Sequence, residues 1–190
     1  MNRTDKTKVK YFGDIAAGYE AKRSCQDKWI AEHKIISRWI ANYPDGIRLL
    51  DCPVGTGRFF DLYAARCFSV TGIDISADML EIARSKPASA DVFLKQGSIF
   101  NITGSYDVSL AIRIMNLIER ADMQRALREL QRVTRHEIIF NLRVGEPGRY
   151  RNPHPVSAVE AALVDGWRIV ENVEIHEPDF SMLRLKNEMA

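Results

Sequence analysis

The sequence predicts an α/β protein: a mostly parallel sheet of seven strands with helices on both faces and the last strand antiparallel. Three observations carry that prediction. Short apolar runs alternate with stretches of helical periodicity along most of the chain. The first run ends at a carboxylate and enters a glycine turn, Leu49-Leu50-Asp51-Cys52-Pro53-Val54-Gly55-Thr56-Gly57-Arg58. The second, Thr71-Gly72-Ile73-Asp74-Ile75-Ser76, ends at another carboxylate.

Residues 1–10 read as a frayed start. Helical pattern covers about 11–22 and 25–41, with Trp29, Ile30, His33, Ile36 and Ile40 at helical spacing, and Asn42-Tyr43-Pro44-Asp45-Gly46 ends it. Strands follow at about 47–52, 69–74, 91–96, 106–112 and 137–143, with helices at 56–66, 76–86 and 121–134. In the last of these helices, Met123, Ala126, Leu127, Leu130 and Val133 form one stripe, and Arg125, Arg128, Glu129 and Arg132 lie on other faces. A loop joins the third and fourth strands. An irregular stretch over 145–155 leads to a helix near 156–164. Two late strands, about 167–176 and 180–186, flank Glu177-Pro178-Asp179, and this final hairpin turns the last strand antiparallel. The reading is one domain over 1–190, with a helical cap over 1–42 and an α/β core over 43–190.

Composition narrows the class. A chain of 190 residues buries about 70% of its unfolded surface and needs no covalent staple. The net charge of +2 is too small to make nucleic acid an expected partner. Cys25, Cys52 and Cys67 are odd in number and widely spaced, which suggests neither a disulfide framework nor a zinc site, and no metal is expected. No apolar run approaches a membrane span, and the start lacks a signal peptide's apolar stretch, so the expected compartment is the cytoplasm. Oligomeric state stays open.

Gly55 and Gly57 let backbone approach a ligand, and an acid at a neighbouring strand end accepts hydrogen bonds from ribose hydroxyls. Together they predict a nucleoside pocket. A dinucleotide fingerprint needs Gly-x-Gly-x-x-Gly, but the matching positions are Pro53, Gly55 and Arg58. A phosphate-cradling loop needs Lys before Ser or Thr, where this chain has Arg58-Phe59. What remains is an acid at Asp51, Gly-Thr-Gly over residues 55–57, and a second acid at Asp74. This resembles the signature of class I S-adenosylmethionine (SAM) dependent methyltransferases, in a Leu-Asp-x-Pro-x-Gly-Thr-Gly-Arg-Phe variant. SAM carries no phosphate, so its methionine part needs a close backbone turn rather than an anion nest. The resemblance covers nearly the whole chain and implies a Rossmann-like sheet.

It also implies a cofactor site. Asp51, Pro53, Gly55 and Gly57 approach the cofactor from the first strand, and Asp74 holds the ribose. Pro53 stands where the family usually has glycine and removes one backbone donor. Ile75 and Ile99 sandwich the adenine, with Met79 at its edge. Ser98 replaces the usual aspartate that accepts from the adenine amino group, and Ala111 closes the fourth strand at the same site. The opening Tyr11-Phe12-Gly13-Asp14-Ile15-Ala16-Ala17-Gly18-Tyr19-Glu20 is similar to the Tyr-Phe-Asp-x-Ile-Ala-x-x-Tyr-Asp start of small-molecule methyltransferases. By that likeness Tyr11, Tyr19 and Arg23 reach the methionine end, where Arg23 pairs its carboxylate.

Acceptor contacts are expected from Arg113 and Asn116 after the fourth strand, and from Arg149, Tyr150, Arg151 and His154 in the irregular stretch. His154 is the one histidine suited to act as a base; His136 and His176 sit at element edges and His33 on an apolar helix stripe. Methyl transfer from a sulfonium needs alignment and exclusion of water more than acid–base machinery. The expectation is direct methyl transfer from SAM to a small-molecule or saccharide-like acceptor. The alternative is a SAM-binding regulatory or partner module of the same fold without transfer activity.

Overall fold

The computed structural model of the chain describes residues 13–86, 91–145, 152–175 and 180–190. The strands form a seven-stranded, mostly parallel sheet in the order β3-β2-β1-β4-β5-β7-β6, numbered along the chain. The chain divides into two compact units, Met1–Ser98 and Ile99–Ala190.

The first unit opens with short helices α1 (Asp14–Ala17) and α2 (Tyr19–Arg23) and the longer α3 (Asp27–Ile40). It continues with β1 (Arg48–Asp51), α4 (Phe60–Ala64), β2 (Ser69–Asp74), α5 (Ala77–Ser85) and β3 (Asp91–Gln96). β1 and β2 run parallel with Asp51 opposite Gly72, and β2 and β3 run parallel with Asp74 opposite Gln96. Leu49 and Leu50 are neighbours on a strand, so they point to opposite faces; both are fully buried. β1 is therefore covered on both sides, as a parallel strand must be.

The second unit contains β4 (Tyr106–Ala111), a 3-10 turn (Met115–Leu117), α6 (Arg120–Val133) and β5 (Thr134–Arg143). α7 (Val156–Glu160), β6 (Trp167–Glu174) and β7 (Phe180–Asn187) complete it. β4 and β5 are parallel, whereas β7 is antiparallel to both β5 and β6, as the final hairpin requires. The predicted stripe of α6, from Met123 to Val133, is buried. Gln131 is buried on the same helix and is satisfied by bonding Ala162 O and Val164 N–H.

Local backbone explains where elements fall short of the sequence reading. The helix expected over 11–22 is two helices that meet at Gly18, with residues 11 and 12 outside the described residues. The helix expected over 56–66 spans only Phe60–Ala64. Gly57 has φ +72° and Cys67 φ +49°, left-handed values that no helix continues through. β5 begins at Thr134, directly after the last residue of α6, so no loop separates them. The helix near 156–164 stops at Glu160.

Candidate functional site

The glycine turn sits on the end of β1. After Asp51 come a cis Cys52–Pro53 peptide and Val54, whose N–H donates to Ile73 O at 2.9 Å and so ties the turn to β2. Gly57 is required twice over: its φ is +72°, and a Cβ there would lie 2.4 Å from the Phe60 ring. Gly55 is required only by its φ of +56°, because a Cβ built there meets nothing within 4 Å. The turn thus presents open space at one glycine and packed ring at the other.

Asp74 fastens this turn to the end of β2. Its Oδ2 accepts the Gly55 N–H at 2.9 Å and its Oδ1 the Ser76 N–H at 2.8 Å. Ser76 then caps α5 by accepting the Met79 N–H at 3.2 Å. Burial pushes the Asp74 carboxyl above the usual range, while the Ser76, Gly55 and Ile75 amides pull it back. A carboxylate has about four acceptor positions, so these bonds leave capacity for a hydroxyl. The next residue, Ile75, is 40% exposed, whereas Met79 is buried. Gln96 Nε2 donates to Ile75 O at 3.0 Å, and Gly97 N–H to Asp74 O at 2.9 Å, which joins β3 to the same corner. Ser98 follows, half-buried.

Asp51 points into the core. It is buried and accepts the Tyr63 hydroxyl at 2.8 Å. Burial raises its pKa to about 7; the Tyr63 hydrogen bond opposes this, the Asp74 charge adds to it, and Arg58 lowers it.

The N-terminal helices reach the turn through side chains that the sequence reading did not single out. Thr56 Oγ1 donates to Glu20 Oε1 at 2.5 Å, and Lys86 Nζ pairs with the same oxygen at 2.5 Å. Arg58 pairs with Glu32, itself buried, at 2.6 Å, donates to Trp29 O, and stacks 3.6 Å from the Trp29 ring centre. These partners lie 26–66 residues apart, so no local pattern announces them. Tyr19 packs edge-on against Trp29 and under the Arg23 guanidinium, 4.9 Å from its ring centre. Tyr11 lies outside the described residues.

The remaining predicted residues belong to the second unit. Ile99 and Ala111 are buried. Arg113 has φ +64°, and its N–H donates to Asn141 Oδ1 at 2.6 Å, a bond that holds the turn after β4. Asn116 Oδ1 is buried without a hydrogen-bond partner among the described residues. His154 is buried, with Nε2 2.9 Å from Met115 O. A carbonyl only accepts, so Nε2 carries the proton and Nδ1 is the lone pair, buried and unpartnered among the described residues. Burial holds the imidazole below its ordinary pKa; bonds to the Met115 and Ile118 carbonyls oppose this, and Arg120 adds to it. Arg149, Tyr150, Arg151 and His176 lie outside the described residues. His136 is exposed and His33 is 3.6 Å from Asp61.

Known proteins are similar to this chain in sequence over part of its length and in fold. A family described as a methyltransferase domain matches residues 49–137, which run from β1 through the glycine turn and Asp74 into β5. The malonyl-[acyl-carrier protein] O-methyltransferase of Pectobacterium atrosepticum is 34% identical over 126 residues, covering 64% of this chain and 49% of that one. The protein YqeM of Bacillus subtilis is 38% identical over 76 residues, covering 37% of this chain and 31% of that one. The chain therefore spans between about a third and a half of the length of these curated relatives. Among solved structures, the magnesium protoporphyrin IX methyltransferase of Synechocystis PCC 6803 with bound SAM has a TM-score of 0.79 at 14% identity, covering 98% of each chain. At that identity the likeness speaks for the fold. The family match spans the same turn and acid, and it makes residues 49–137 similar to a methyltransferase domain.

Proposed function

We propose that the protein binds SAM at the first unit's strand ends and catalyses transfer of its methyl group to a small-molecule or saccharide-like acceptor. The observation that carries the reading is the corner made by Gly55, Asp74 and Ile75. Gly55 faces open space, Asp74 is a preorganised acceptor with capacity to spare, and Ile75 is an exposed apolar side chain beside it. A methionine chain, a ribose and an adenine ask for those three things in that order. SAM supplies an electrophilic methyl group on a good leaving group. The protein's part is to hold that compound still and dry. Asp74 would hold the ribose hydroxyls, and Ile75, Met79 and Ser98 would hold the adenine. Asp51, Pro53 and Gly57 shape the turn from behind. Tyr19 and Arg23 take the methionine end. In the second unit we assign Ile99 and Ala111 to cofactor contact, Arg113 and Asn116 to the acceptor, and His154 to proton removal where an acceptor needs it. No described helix is long and apolar enough to cross a membrane. We place the enzyme's work in the cytoplasm.

Calorimetry with SAM, S-adenosylhomocysteine and NAD tests the cofactor class directly: the first two should bind and NAD should not. Asp74→Ala should weaken SAM binding by about 1–3 kcal/mol, the loss expected for a charge-assisted acceptor. An unchanged affinity moves the ribose site elsewhere. Transfer of labelled methyl from SAM into an extract of small metabolites then separates an enzyme from a binding module.

A further inference from the structure

Glu20 is a carboxylate that the cofactor reading leaves unused. One oxygen, Oε1, accepts from both Thr56 Oγ1 and Lys86 Nζ. Thr56 is buried between Gly55 and Gly57, the two left-handed residues of the turn. Lys86 is the residue that ends α5, and its ammonium also lies 3.4 Å from Gly57 O. α5 starts at Ser76, whose N–H is held by Asp74, and Asp74 also holds Gly55. The links close into a ring: from the turn to Glu20, to Lys86, back along α5 to Asp74, and to the turn again. A second tie joins the same elements, because Gly13 N–H donates to Asp78 Oδ2, in the first turn of α5, at 2.6 Å.

α2, which carries Glu20, has no buried residue. A five-residue helix is not stable alone, and this one lacks an apolar face to dock it. Among the described residues, the Tyr19 ring contact and the Glu20 bonds tie it to the rest of the unit. We propose that Glu20 is a positioning residue, a clasp that fastens the N-terminal helices to the glycine turn and sets how long the cofactor stays bound. The proposal rests on the reading of the turn as a SAM site. It assigns Glu20 no contact with the cofactor; it acts through Thr56 and Lys86.

Two measurements test it, using S-adenosylhomocysteine as the probe. In stopped-flow displacement, Glu20→Ala should shorten residence about tenfold, the order expected for one charge-assisted hydrogen bond. Lys86→Met should shorten it less, Thr56→Val comparably to Glu20→Ala, and Thr56→Ser should restore the wild-type value because it keeps the hydroxyl. In hydrogen exchange of the unliganded protein, Glu20→Ala should deprotect amides in residues 13–32 while those of β1 and β2 stay protected. Normal residence with normal exchange in Glu20→Ala overturns the clasp alone. Loss of protection across β1 and β2 as well would make Glu20 a fold residue and also overturns it. If the wild type binds neither SAM nor S-adenosylhomocysteine, the cofactor reading falls and the clasp falls with it.

Discussion

At the strand ends of the first unit, buried acids have donors: Asp74 takes the Gly55 and Ser76 amides, and Asp51 takes the Tyr63 hydroxyl. After β4 in the second unit, Asn116 Oδ1 and His154 Nδ1 are buried with no hydrogen-bond partner among the described residues. An unpaired buried polar atom costs about 1–3 kcal/mol, so the contrast is energetic as well as geometric. The first arrangement is already assembled and asks a ligand only to add to it. The second keeps open acceptors, which is where a water or a donor-bearing ligand gains most.

The largest effect should come from breaking the assembled arrangement at its ion pair. Arg58 follows the turn directly and pairs with Glu32, whose side chain has no exposed surface. Arg58→Met keeps much of the stacking volume over Trp29 and Phe59 but strips the carboxylate of its guanidinium. Breaking a buried pair from one side costs about 3–5 kcal/mol, and urea denaturation should read a loss of that order. A loss below about 1 kcal/mol would mean that water reaches Glu32 readily, and the pair would not anchor the turn.

Next in size is the pH dependence set by Asp51. Its carboxyl holds a proton up to about pH 7 in the folded chain, against an ordinary value near 3.8. Between those values the folded state binds more protons than the unfolded state, so stability falls as pH rises. Each pH unit costs ~1.4 kcal/mol, or roughly 3 kcal/mol at most between pH 5 and 7. Asp51→Asn removes the titration while leaving an oxygen for the Tyr63 hydroxyl. The variant should therefore gain on the wild type from pH 5 to pH 8 in paired urea titrations. A constant gap would show Asp51 ionised throughout.

These sites also mark how far the sequence could be read. Strand ends were legible because an apolar run closing on an acid is a local pattern, which Asp51 and Asp74 both carry, and Gly55 and Gly57 mark the turn after the first. The α6 stripe was legible for the same reason, as one face of a regular period. The short α4 was not, because Gly57 and Cys67 look permissive in a sequence and act as stops only once their φ is positive. Glu20 and Arg58 were invisible as a clasp and an anchor: each finds its partners across 26–66 residues, and charge alone does not say where a side chain will be buried. The residues expected to meet the acceptor carried the weakest signal, since a loop histidine or asparagine has no periodicity to test.

His154 should give the smallest effect and the sharpest contrast. Its folded-state pKa lies below the ordinary value of 6.5, mainly through burial. Below pH 6.5 the unfolded chain binds more protons at this group, so its contribution to stability falls as pH falls, opposite in sign to that of Asp51. One proton bounds the slope at ~1.4 kcal/mol per pH unit, and above pH 6.5 the effect vanishes. His154→Gln cannot titrate but can still donate to Met115 O. The two proteins should match at pH 8 apart from a constant offset, and the variant should gain on the wild type toward pH 5. Nitrogen NMR supplies the second reading: Nε2 should carry the proton at neutral pH, with Nδ1 bare. If Nδ1 proves protonated instead, the imidazole donates there, and the second unit's open acceptor is reduced to Asn116.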